Sequence, residues 1–211
     1  MADLVSGKYS QVEPSQGPVF GLAGSVAQAN VPAKTNAQYL GWSGVTDNAS
    51  VLATNTITLV PVPVDLGVTY SVVHAYIGAT AATVTHNYAA VYSGTSNAAL
   101  AVLLGQSVDA TSTPPTVSQV ATFTLGSPVT ATASNAPNGY WYVGLQVTGA
   151  TPFSVGAVPV AQAIVSKINA AVTTAAPSSF VLSVAATTGT APSPAGTVTT
   201  TATAAPVLAL R

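Results

Sequence analysis

Between Tyr140 and Val147 the side chains alternate strictly, with Trp141, Val143, Leu145 and Val147 pointing one way and Tyr140, Tyr142 and Gln146 the other. A period of two is the signature of a pleated strand with one face on a core. The same pattern recurs from about Ala53 onward in shorter pieces. Thr56 to Val60 alternates, and Pro61 and Pro63 then force an edge or extended segment. In Val68 to Ile77, Val68, Tyr70, Val72, His74 and Tyr76 share one face, and Val73, Ala75 and Ile77 the other. Both faces are fairly apolar, as in a strand covered on both sides.

His86 to Tyr92 follows, then a turn at Ser93 to Asn97, a run from Ala99 to Leu104 and a loop from Asp109 to Pro115. Val120 to Leu125 alternates, Asn135 to Gly139 is turn chemistry, and Phe180 to Val184 alternates again. A Thr-rich linker, 187–205, precedes a closing strand at Val207 to Leu210. Fifteen prolines and 17 glycines leave little room for long helices. Only Ala161 to Val172, with Ile164, Val165, Ile168 and Val172 at helical spacing, predicts one. About eight short strands predict an all-β, jelly-roll-like sandwich over residues 51–211, with at most one short helix.

Residues 1–50 are rich in Gly, Pro, Gln and Asn and carry isolated apolar residues such as Val19, Phe20 and Leu22. They read as an extended N-terminal arm. Either the arm lies on a neighbouring subunit through those three residues, or it closes one end of its own sandwich.

Charge narrows the function classes. Four basic and five acidic residues, 4% of the chain, leave a net charge of −1. Lys8, Lys34, Lys167 and Arg211 are scattered, so neither a nucleic-acid footprint nor an electrostatic membrane anchor is expected. No apolar run reaches the ~20 residues of a spanning helix, and the opening residues lack a charged-then-apolar targeting pattern. There is no cysteine, which removes disulfides and thiolate metal sites. Near-zero net charge suits a protein held among copies of itself better than a free monomer, so a homo-oligomer is expected.

The ionisable inventory is short. Asp3, Glu13, Asp47, Asp65 and Asp109 show no spacing that suggests a converging carboxylate pair. His74 and His86 could meet across adjacent strands and, with Asp65 or Asp109, ligate a metal. The plainer reading makes one a hydrogen-bonded sandwich residue and the other a strand end. No nucleophile elbow, phosphate loop or zinc-protease motif is present. The expectation is no enzyme, no metal and no cofactor. Trp42 beside Asp47 and Asn48, and the pair Tyr140 and Tyr142, are candidate contacts for a glycan or for another subunit.

Five stretches in order carry a family resemblance: His86 to Ser93 (HNYAAVYS), Leu104 to Asp109 (LGQSVD), Ala121 to Leu125 (ATFTL), Gly139 to Leu145 (GYWYVGL) and Thr151 to Gly156 (TPFSVG). The ending from Ala195 to Arg211 adds a Thr-rich crossover and closing strand. Together they resemble a sandwich domain of structural and minor tail proteins of tailed phages that infect actinobacteria. The resemblance implies a virion part without enzymatic residues, most directly a minor tail or tail-tip subunit among other virion proteins. A capsid decoration protein of the head surface shares this composition. A module that recognises a host-surface glycan is a further alternative.

Overall fold

The computed structural model describes residues 34–35, 46–79, 82–110, 115–159, 181–200 and 204–211. The helix expected at 161–172, the arm residues Val19, Phe20 and Leu22, and Trp42 lie outside the described residues. Thirteen strands are described: β1 (Lys34–Thr35), β2 (Thr46–Val51), β3 (Thr56–Pro63), β4 (Thr69–Ala79), β5 (Ala82–Tyr92), β6 (Leu103–Gln106), β7 (Gln119–Thr130), β8 (Tyr140–Thr151), β9 (Ser154–Pro159), β10 (Leu182–Ala185), β11 (Val198–Thr200), β12 (Ala204–Pro206) and β13 (Leu208–Leu210). A 3-10 turn at Ala98–Leu100 is the only helical element among the described residues, and no described helix is long and apolar enough to cross a membrane.

The protein is an all-β sandwich of two antiparallel sheets. In the first, β2, β9, β4 and β7 pair in that order. The C-terminal strand wedges into this path in two halves, β13 against β4 and β1, β12 against β9. In the second, the order is β11–β10–β3–β8–β5–β6. β2 crosses residue 50, the expected boundary between arm and sandwich, and pairs with β9 of its own chain.

The alternation in β8 does what its sequence requires. Trp141, Val143, Leu145 and Val147 are fully buried between the sheets with Val60, Val62, Tyr70, Ile77, Phe153 and Leu208. The rings of Tyr70 and Trp141 meet edge to face at 5.5 Å and 74°, a favoured geometry. Their polar ends are satisfied: Trp141 Nε1 donates to Asn135 Oδ1 at 3.2 Å, and the Asp65 N–H donates to the Tyr70 hydroxyl at 3.0 Å. Tyr70 sits on the face of Val73, Ala75 and Ile77, not on that of His74 and Tyr76. The N–H groups of Ser71 and Val72 both donate to the Arg211 carbonyl, at 2.7 and 2.9 Å, and such a bulge turns the residues before it to the other face. The outer face of β4 is only half-buried at His74 and Tyr76, so the expected cover on both sides falls to other strands.

It falls to the second sheet. On its outer face Ile57, Leu59, Tyr88, Ala90, Tyr92, Tyr142, Leu182 and Val184 form a second apolar cluster with Ala186, Ala191 and Ala195. The segment 186–196, which from 187 onward was read from sequence as linker, is therefore a packed third layer. Polar contacts fix it: Gln106 Nε2 donates to the Gly189 carbonyl at 2.6 Å, the Ala191 N–H donates to Gln106 Oε1 at 2.8 Å, and the Ala195 N–H donates to the Ala101 carbonyl at 2.9 Å. Low complexity concealed it because alanine and threonine fill such a layer without large side chains.

Burial under this layer raises the pKa of several tyrosines. That of Tyr88 is pushed up to about 12, first by burial and then by the negative charge of Asp109. Burial also raises those of Tyr92 and Tyr142 above the ordinary 10.0. Each folded-state pKa exceeds the unfolded one, so the stabilisation is complete below pH 10 and is lost as pH rises through 10 toward 12. We expect phenolate absorbance to appear together with loss of β-structure in an alkaline titration. Ordinary titration of these tyrosines near pH 10 with the fold retained would contradict the burial.

Candidate functional site

The strand that builds the site is β5, and a bulge places the residue that matters. Its register against β8 shifts between Val84 and His86, leaving Val84 and Asn87 both buried and facing the first sheet. Strict alternation from Val84 would put Asn87 outside. Its backbone is held on both sides: the Asn87 N–H donates to Asp109 Oδ1 at 2.8 Å, and the Asn87 carbonyl accepts from the Ala110 N–H at 2.9 Å. Asp109 is in turn held by His86, whose Nδ1–H donates to Oδ2 at 2.6 Å. Gly189 of the third layer passes so close that a Cβ there would lie 2.2 Å from the same oxygen.

These ties aim the Asn87 side chain into a gap between the sheets. The amide is 2% exposed, and its Oδ1 has no hydrogen-bond partner. The gap opens into a groove of about 410 Å³. Asn87, Ser107, Val108 and Ala110 form one wall; Pro115, Thr116 and the run Gln119 to Thr124 of β7 form the other. Ser107 is already occupied, accepting from the Ala89 N–H at 2.9 Å and donating to the Val108 carbonyl at 3.2 Å. None of the twelve described lining residues has an ionisable side chain. The arrangement can hold a ligand by hydrogen bonds and apolar contact.

The other sequence candidates are dispersed. His74 and His86 do not meet, because β4 and β5 belong to different sheets. His74 shares a hydrogen bond with Thr122 Oγ1 at 3.2 Å, and its pKa is lowered by burial and by Arg211. Asp65 lies at the β3–β4 turn, so only the His86–Asp109 half of the suggested metal set assembles. Among the described residues no three potential metal ligands cluster.

Tyr140 and Tyr142 stack edge to face at 5.3 Å, and both hydroxyls donate to the Thr95 carbonyl, at 3.1 and 3.2 Å. Tyr142 is 9% exposed, so this pair is held by its own chain's 93–97 turn. Asp47 and Asn48 lie on β2 in the other sheet. Asn87 itself was missed by sequence reasoning. Its one signal is an amide placed directly before the apolar run Tyr88 to Tyr92.

No protein-family model matches the chain, and neither a curated protein nor a solved structure matches it.

Proposed function

We propose that this chain is a non-enzymatic structural subunit of a tailed-bacteriophage virion, a minor tail or tail-tip protein that works as a homo-oligomer among other virion proteins. The observation that carries the reading is a packed sandwich whose surface has almost no charge. Where side chains are described, Asp65, Asp109 and Arg211 are the only formally charged ones, and Asp109 is paired. Large apolar side chains meanwhile stand exposed at Leu66, Leu100, Val102 and Val108. A surface of this kind is poor for a free monomer and well suited to lattice or ring contacts.

The strand order supports the same reading. β2–β9–β4–β7 faces β3–β8–β5–β6, and successive strands mostly alternate between sheets. We read this as two interleaved Greek keys, the jelly roll that recurs in viral capsid and lectin domains. The five sequence stretches that resemble phage tail proteins fall on β5, β6 with Ser107 to Asp109, β7, β8 and β9, the strands that build the interior.

The assembly role is assigned to the N-terminal residues. Because β1 and β2 are sheet strands, deleting residues 1–50 would damage the sandwich, whereas deleting 1–33 leaves every described strand in place. We expect the 1–33 deletion to fold with nearly unchanged thermal stability and to lose self-association and entry into particles. Normal oligomer mass and normal incorporation would overturn the assignment. Recovery of label on heads, with tails bare, would move the subunit to the capsid surface.

A further inference from the structure

The groove beside Asn87 has the chemistry of a binding site that the assembly reading does not use. Asn87 Oδ1 is an acceptor almost wholly buried and lacking a donor, a state that folded proteins generally avoid. The nearest charge along the chain, Asp109, is turned away, with its oxygens engaged by the Asn87 N–H and by His86. A charged ligand would give up hydration here and meet no counter-charge. Across the gap, Gln119 on the inward face of β7 and Thr116 before the strand offer exposed amide and hydroxyl groups, beside the apolar surfaces of Pro115, Ala121 and Phe123. At about 410 Å³ the space lies toward the small end of ligand pockets, which run from roughly 300 to 1,000 Å³.

We propose that this groove binds a neutral sugar unit, with one ring hydroxyl donating to Asn87 Oδ1 and others reaching the β7 wall. A compact ligand bearing donors on several sides serves both walls at once. An extended peptide added along β7 would satisfy the strand backbone and leave the amide opposite unpaired. The proposal stands apart from the virion reading: a chain that enters particles normally yet binds no sugar refutes the groove alone.

The test is a titration of the isotope-labelled full chain, followed by NMR. The probes are methyl α-mannoside, methyl β-galactoside and N-acetylglucosamine, with glucuronate and glucosamine as charged controls. At least one neutral sugar should produce saturable shifts at the Asn87 side-chain amide and at the amides of 119–124, and the charged controls should not. Asn87→Leu keeps the volume and removes the orphan acceptor. It should melt no lower than wild type, since replacing an unpaired polar group by an apolar one of like shape is neutral or stabilising. It should bind at least about tenfold more weakly, the equivalent of one lost hydrogen bond. A structural role for the amide would instead lower the melting point and leave binding unchanged, and that overturns the proposal.

If Asn87→Leu does not fold, Val108→Trp decides. Val108 is 78% exposed at the rim, so tryptophan there can close the mouth without touching the core, and the same binding should vanish. The proposal also fails if no neutral sugar gives saturable shifts well beyond millimolar concentration, if charged sugars shift the same amides equally, or if only an extended peptide does so.

Discussion

Val143→Asp should leave no soluble folded protein. Val143 is fully buried at the centre of β8, paired with Val60 on β3 and Val91 on β5. An aspartate there would sit among apolar side chains with no cation within the described core. An unpaired charge in such a place costs at least several kcal/mol, comparable to the roughly 5–15 kcal/mol that holds a whole domain together. Expression of the variant followed by circular dichroism of the soluble fraction is sufficient. Folded, soluble Val143→Asp protein would mean that the β8 face is not the core.

The second large effect is expected at Gly94. The 93–97 turn is pressed onto β8 so closely that a Cβ on Gly94 would lie 1.7 Å from the Tyr140 carbonyl oxygen and 2.7 Å from its carbon. Both are backbone atoms, so no rotamer change relieves the clash. The turn is also tied down, with the Gly94 N–H donating to the Asn135 carbonyl at 2.9 Å and Asn138 Nδ2 donating to the Gly94 carbonyl at 3.3 Å. Gly94→Ala must lift the turn and release the bonds from Tyr140 and Tyr142 to the Thr95 carbonyl. Overpacking of this kind costs about 1–3 kcal/mol and each lost hydrogen bond about 1. A fall in melting temperature of roughly 10 °C follows for a chain of this size. An unchanged melting curve would show that the turn does not press on β8.

Much of the core was legible because it obeys one rule. Period-two alternation identified Trp141, Val143, Leu145 and Val147, and turn chemistry located the 93–97 and 135–139 connections. The places where the rule failed have physical causes. A bulge in β4 at Ser71 and Val72 moved Tyr70 into the core, and a bulge in β5 turned Asn87 inward. A bulge adds one residue to a strand, and nothing in local composition marks which one.

Tyr142 and Gln146 were read only as the face opposite the core, with Tyr142 a candidate glycan or subunit contact, because strand patterns report two layers and not a third. The cover supplied by 186–196 comes from a segment with no periodicity. His74 and His86 looked like neighbours because they lie on consecutive strands, and sheet topology separates them. Bulges are over-represented at functional sites, and the one in β5 lies beside the groove.

The proposed function requires the chain to be a fixed part of a particle. The direct measurement is electron microscopy of purified virions carrying a labelled copy of this chain, with mass spectrometry of the same preparation. The chain should be found among the particle proteins, with label at one repeated, symmetric position on the tail of every particle. Purified, infectious particles free of the chain, with all label left in the lysate, would contradict it.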